Sequence, residues 1–148
     1  MTDIKEYRAL LWESDGLYNS IMESSGYSAS EYMCIYCIAN GENTQAAIAK
    51  KLYMPKQTIN SAIKKLSALG YVEATSRPGN NKERHLSLTT LGQEIYLQKI
   101  AITDNIDEEV WQELSEKDKS ALVYLTQKYN DILRKKTEKY LSAKQNRG

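Results

Sequence analysis

The sequence predicts a mainly α-helical protein with a small β-wing, a winged helix-turn-helix joined to longer helices, and three observations carry that prediction. Between positions 44 and 92 a short helix, a turn, a second helix and a basic hairpin follow one another without a spare residue. Outside that stretch apolar side chains recur at helical spacing rather than in the alternation of strands. Positive charge is gathered in one place: 1–43 carries two Lys/Arg against seven Asp/Glu, 44–92 eight against two, and 93–148 ten against ten, for net values of −5, +6 and 0. The chain-wide net charge of +1 hides this asymmetry, which is the footprint expected of a polyanionic partner, a solvated helix face being the alternative account.

Taken in order, Ile4, Tyr7, Leu11, Tyr18 and Ile21 form one apolar stripe on a first helix of about twenty residues, broken by Gly26 and Ser28. Ser28 with Glu31 spells a capping box and opens a second helix that runs to Ile38, before Asn40 and Gly41 stop it. Thr44 caps a helix over 45–52, Tyr53-Met54-Pro55 makes the turn, and a second head helix spans 56–69, closed by Gly70. Strands over 72–76 and 84–89 flank a tip of Pro78, Gly79, Asn80 and Asn81. Thr90 then opens a long helix with Ile95, Ile102, Ile106 and Val110 along one side. Ser115 with Asp118 caps another that carries Leu122, Leu125, Tyr129, Ile132 and Tyr140. The expected organisation is one domain over 1–148, with 28–89 as the winged helix-turn-helix, 1–27 and 90–142 as dimerisation helices, and 143–148 as a flexible tail.

Hydrophobic content of 41% and charged content of 26% suit one globular domain with a real core. No apolar run approaches the roughly 18 residues of a membrane span, so no membrane is expected as a partner. Asp3, Lys5, Glu6 and Arg8 interleave where a secretory signal would be basic and then apolar, and a cytoplasmic location is the expectation. Cys34 and Cys37, three apart on a predicted helix, are poor disulfide-framework material. The first and the last two helices carry more apolar stripe than a head of about 50 residues can cover, and a second copy of the chain is the expected cover. A two-fold dimer presents two heads and asks for inverted-repeat DNA with half-sites about one helical turn apart. The competing expectation is a monomer whose long helices shield its own core.

On the second head helix Ile59, Ala62, Ile63, Leu66 and Leu69 share one face, and a projection at about 100° per residue leaves Gln57, Asn60, Ser61, Lys64 and Ala68 opposite. Gln and Asn pair bidentately with adenine in the major groove, Ser permits close approach, and Lys64 meets guanine or phosphate. Lys56, Thr58 and Lys65 flank this face as phosphate contacts, and Thr44 and Gln45 open a helix whose amide-rich N-terminus is a phosphate site. The wing offers Arg77, Asn80, Asn81, Lys82 and Arg84, of which an arginine can enter a narrow minor groove; turn formation alone also accounts for the asparagines. The expected partner is double-stranded operator DNA.

The run LYMPKQTINSAIKKLSALGYVE over 52–73, followed after the wing by LSLTTLG over 86–92, resembles the MarR family of bacterial transcriptional regulators. Leu66, Gly70, Tyr71, Val72 and Glu73, then Leu88, Thr89 and Gly92, stand where that family closes its recognition helix and opens its fifth helix. The resemblance implies an obligate homodimer on palindromic operator DNA and, in many members, a small ligand or oxidant that weakens DNA binding. The family's wing often carries an Asp-x-Arg pattern, and Asn80-Asn81-Lys82-Glu83-Arg84 stands there instead, so that either Lys82 or Arg84 takes the arginine's place.

Eleven tyrosines and no phenylalanine are the odd feature of composition. Tyr7, Trp12, Tyr32 and Tyr36 belong to the first two helices, which the resemblance sets beside a ligand crevice, and aromatic walls with polar tips suit a small aromatic ligand; core packing accounts for them equally. Buried packing is also the preferred account of Cys34 and Cys37, with a thiol-based redox sensor as the alternative. An enzyme is disfavoured because His85 is the only histidine and stands on the wing; neither cofactor nor metal is expected. A winged-helix protein-interaction adaptor is the remaining rival.

Overall fold

The computed structural model describes residues 2–77 and 79–146, with the side chains of Arg77, Asn80, Asn81, Lys82 and Glu83 outside the described set. The chain forms two compact units, Met1–Asn105 and Ile106–Gly148.

Helix α1 (Ile4–Ser24) starts at Asp3, whose carboxylate accepts from the Lys5 amide, and none of its residues is buried. Helix α2 (Ala29–Ala39) opens with the expected capping box, the Ser28 hydroxyl taking the Glu31 amide while the Glu31 carboxylate takes the Ser28 amide. Thr44 caps α3 (Gln45–Leu52) by accepting from the Ala47 amide at 3.1 Å. Helix α4 (Lys56–Ala68) follows Pro55, and Leu69 is its C-cap rather than its last turn. Strands β1 (Val72–Arg77) and β2 (Asn80–Leu88) form a two-stranded antiparallel sheet that pairs Val72 with Leu88 and Ala74 with Leu86.

The core lies within this unit. Ile35, Ile48, Ile59, Leu66 and Ile100 are fully buried, with Ile63, Val72 and Leu86 against them, so one cluster ties α2, α3, α4, the sheet and the chain beyond it together. Alternation in the wing and a 3.6-residue period in α4 deliver these side chains to one side, as burial of an amphipathic surface requires.

Larger departures from the sequence expectations fall in the wing and in the C-terminal helices. Strand β2 begins at Asn80, not at 84, so Asn80 and Asn81 belong to the strand instead of the tip. Gly79, at φ 89°, supplies the left-handed residue by itself, and the extra length enters as a register irregularity between Ser76, opposite Arg84, and Arg77, opposite Asn80. The single long helix expected after Thr89 is α5 (Thr90–Ile95), a π-turn (Tyr96–Ile100) and α6 (Ile102–Glu113). Tertiary partners hold the π-turn: the Tyr32 hydroxyl donates to the Ile100 carbonyl at 2.9 Å, and the Lys99 ammonium sits 5.5 Å from the Tyr27 ring centroid. Helix α7 (Glu116–Gln145) runs through 143–145, because Ala143, Lys144 and Gln145 are good helix formers with no breaker among them.

Gly92 is required by packing rather than by conformation. A Cβ there would meet the Tyr71 carbonyl oxygen at 2.0 Å, and the approach is fixed by the Thr89 amide donating to that same oxygen at 3.1 Å. In the second unit Ser115 caps α7 by accepting from the Asp118 amide at 3.1 Å. Helices α6 and α7 bury none of their described residues. A cleft of about 510 Å³ there is lined by Trp111, Leu122, Val123, Asn130 and Arg134 among others, and the apolar members are exposed.

Candidate nucleic-acid interface

Helix α4 divides as the projection requires except at Leu69, which was expected on the packed face but lies exposed at the C-cap, beyond the last turn that the core covers. Ile59, Ala62, Ile63 and Leu66 are buried, whereas Gln57, Thr58, Ser61, Lys64 and Lys56 are exposed and Asn60 is half-buried. Two amides, a hydroxyl and an ammonium therefore stand on the solvent side of a helix whose other side is anchored in the core. That is the donor and acceptor set that reads base edges. No side chain caps α4, so its leading amides remain at an uncapped N-terminus. Thr44 and Gln45 are half-buried at the start of α3, and the Thr44 hydroxyl, having accepted from Ala47, keeps its proton for an outside acceptor.

The lysines are not equivalent. Lys65, sequence-read as a phosphate contact, has its Nζ 2.7 Å from Glu31 Oε1, and the Glu31 side chain is only 7% exposed. Burial works against the Glu31 carboxylate, yet the hydrogen bonds from Lys65 and Ser28 together hold its pKa below the usual carboxylate value. Lys65 is thus a strut between α4 and α2. Lys51 is drawn back to Glu42 at 2.8 Å. On the wing Arg84 is exposed opposite Ser76; the sequence-read side chains of Arg77 and Lys82 lie outside the described residues.

The four aromatic residues read as a ligand wall are not alike. Tyr32 is 1% exposed, and its hydroxyl reaches both the Ile100 carbonyl and Thr103 Oγ1, which makes it a core residue rather than an open wall. Tyr36 is half-buried and donates to Asp104 Oδ1 at 2.8 Å, and Tyr96 donates to the other oxygen of the same carboxylate at 3.3 Å. Tyr7 and Trp12 lie exposed on α1, Trp12 at 66%. Cys34 and Cys37 are buried and free; burial pushes the Cys34 thiol up to about 12 and raises Cys37 as well, so neither is poised as a thiolate. Among the described residues no group of His, Cys, Asp and Glu could hold a metal ion, and no helix is long and apolar enough to cross a membrane.

Sequence reasoning missed Glu31 and Asp104 as partners. The capping box already accounts for Glu31, and nothing local in Asp104 announces two tyrosines brought from 68 and 8 residues away.

A buried-backed polar helix after a short capped helix and a turn, followed by a two-stranded wing, defines a winged helix-turn-helix of the DNA-reading class. The family model described as MarR family matches residues 25–84, which span α2, the helix-turn-helix and most of the wing. No curated protein matches the sequence significantly. Among solved structures, a MarR family regulator from Neisseria meningitidis has a TM-score of 0.80 at 18% identity, covering 94% of this chain and 99% of that one. A mutant MepR from S. aureus bound to an oligodeoxyribonucleotide has a TM-score of 0.53 at 18% identity, covering 90% and 99%. BpsR from Bordetella bronchiseptica, whose DNA binding is regulated by 6-hydroxynicotinic acid, has a TM-score of 0.65 at 16% identity, covering 84% and 98%. At these identities the likeness speaks for the fold.

Proposed function

We propose that this protein is a homodimeric transcriptional repressor that binds a palindromic operator in double-stranded DNA through α4 and the wing, and that a small aromatic ligand releases it. The observation that carries the DNA reading is the exposed Gln57-Ser61-Lys64 face of α4, backed by buried Ile59, Ile63 and Leu66, inside a segment of net charge +6. Gln57, Asn60, Ser61 and Lys64 read bases; Lys56, Thr58, Thr44, Gln45 and the wing basics Arg77, Lys82 and Arg84 hold phosphate or the minor groove. The dimer is supported by the apolar side chains that α1, and separately α6 and α7, leave exposed, Leu10, Trp12 and Leu17 in the first unit and Val110, Leu122, Leu125 and Ile132 in the second. A cytoplasmic location goes with a DNA target.

The regulated release is supported by the DNA-binding relative that responds to an aromatic acid and by exposed Trp12 and Tyr7 here. Such a ligand acts only through a difference in affinity between DNA-competent and incompetent states, and operator DNA weakens the ligand by the same factor. The test is selection of bound sequences from random duplex DNA. An enriched inverted repeat supports the proposal, and failure to enrich any duplex refutes it.

A further inference from the structure

Tyr53 closes α3 in a Schellman turn. The Met54 amide donates to the Ala49 carbonyl at 3.1 Å and the Tyr53 amide to the Lys50 carbonyl at 3.4 Å, which puts Tyr53 itself in the left-handed region at φ 52°, ψ 37°. Among the described residues it is the only non-glycine with positive φ; positions 26, 41, 70 and 79, which share that sign, are all glycine. A side chain in this conformation costs on the order of 1 kcal/mol relative to glycine. Burial does not offset the cost, because Tyr53 is 91% exposed and its hydroxyl has no partner among the described residues. The hydrophobic contact that such a turn brings is made by the next residue, Met54, which packs on the core.

Neither local conformation nor packing therefore accounts for a tyrosine at this turn. An unfavourable conformation holding an exposed side chain is the mark of an outside contact. Its place in the chain says with what: Tyr53 stands three residues before Lys56, the first residue of α4, within about 10 Å even for extended chain, so it borders the N-terminal end of the helix whose outer face reads bases. A duplex that admits α4 to its major groove runs its sugar-phosphate strand past that border. We infer that Tyr53 contacts the DNA backbone, its phenolic O–H donating to a phosphate oxygen at the groove edge and fixing the register of α4 without reading sequence. This rests on the DNA-binding function proposed above.

The test measures binding of the full-length wild type, Tyr53→Phe, Tyr53→Gly and Lys56→Ala to the selected operator and to an unrelated duplex across a salt series. Both Tyr53 variants are expected to lose roughly three- to tenfold on both duplexes, with the wild-type salt slope, because a phenol displaces no counterion. Lys56→Ala is expected to lower the slope by about one. Tyr53→Gly should melt no lower than wild type, which separates lost contact from lost fold. Wild-type affinity of Tyr53→Phe for both duplexes overturns the assignment while leaving DNA binding intact; a wild type that binds neither duplex defeats the underlying function and the assignment with it.

Discussion

The reading head and the long C-terminal helices are built from similar amphipathic stripes, yet they end in opposite states. Ile48, Ile59 and Leu66 are fully buried in the first unit, whereas Val110, Leu122, Leu125 and Ile132 in the second stay exposed. Helix α4 meets α2, α3 and the first wing strand within one unit and so has its apolar face covered. Helices α6 and α7 supply an apolar stripe without an equal supply of partners. The difference separates two outcomes of the same pattern: one part of the chain buries its stripe in a self-contained fold, and the other leaves its stripe exposed, as the proposed dimer requires.

The largest expected effect tests that separation directly. Leu66→Ala, which empties a fully buried site, should cost about 2–5 kcal/mol in urea unfolding and take DNA binding down with it. Leu125→Asp should leave the head's unfolding transition nearly in place but shift sedimentation from dimer to monomer and weaken operator binding. A monomeric wild type with full operator affinity would show that the exposed stripe has another use.

Within the head, Gly92→Ala sharpens the contrast between conformation and packing. The added methyl must displace the Tyr71 carbonyl, and about 1–3 kcal/mol of destabilisation is expected from equilibrium unfolding. Wild-type stability would mean that α5 shifts away without cost.

Neighbouring lysines provide the next contrast. Lys64→Ala should weaken operator binding by about 1–3 kcal/mol and relax preference at particular half-site positions, with stability unchanged. Lys65→Ala should act chiefly on the fold, by about 1 kcal/mol or less given its exposed end. The pH dependence identifies the cause. Glu31 has a lowered folded-state pKa, so its pairing contributes above the ordinary carboxylate pKa of about 4.3 and is lost as pH falls through the folded value. The stability gap between wild type and Lys65→Ala should accordingly be full at pH 7 and close as pH is lowered below about 4; a gap independent of pH would remove Glu31 from the account.

The smallest effect is expected at the cysteines. With both thiols buried and their pKa values raised, native protein should react with a thiol reagent only as fast as it opens, and Cys34→Ser, Cys37→Ser should leave the DNA-binding response to peroxide as small as in wild type. Rapid native-state labelling would revive the redox sensor.

By itself the sequence determined what depends on neighbours along the chain. The Ser28/Glu31 capping box, the Thr44 cap, the apolar period of α4 and the hairpin all follow from side chains a few residues apart, and each is present in the structure. Contacts across the fold were decided elsewhere. A capping glutamate that also grips Lys65, a tyrosine whose hydroxyl is spent on the Ile100 carbonyl and a π-turn where a continuous helix was expected all arise because packing brings together groups 34 and 68 residues apart. Local propensities are worth tenths of a kcal/mol per residue, and the burial and pairing of such groups outweigh them.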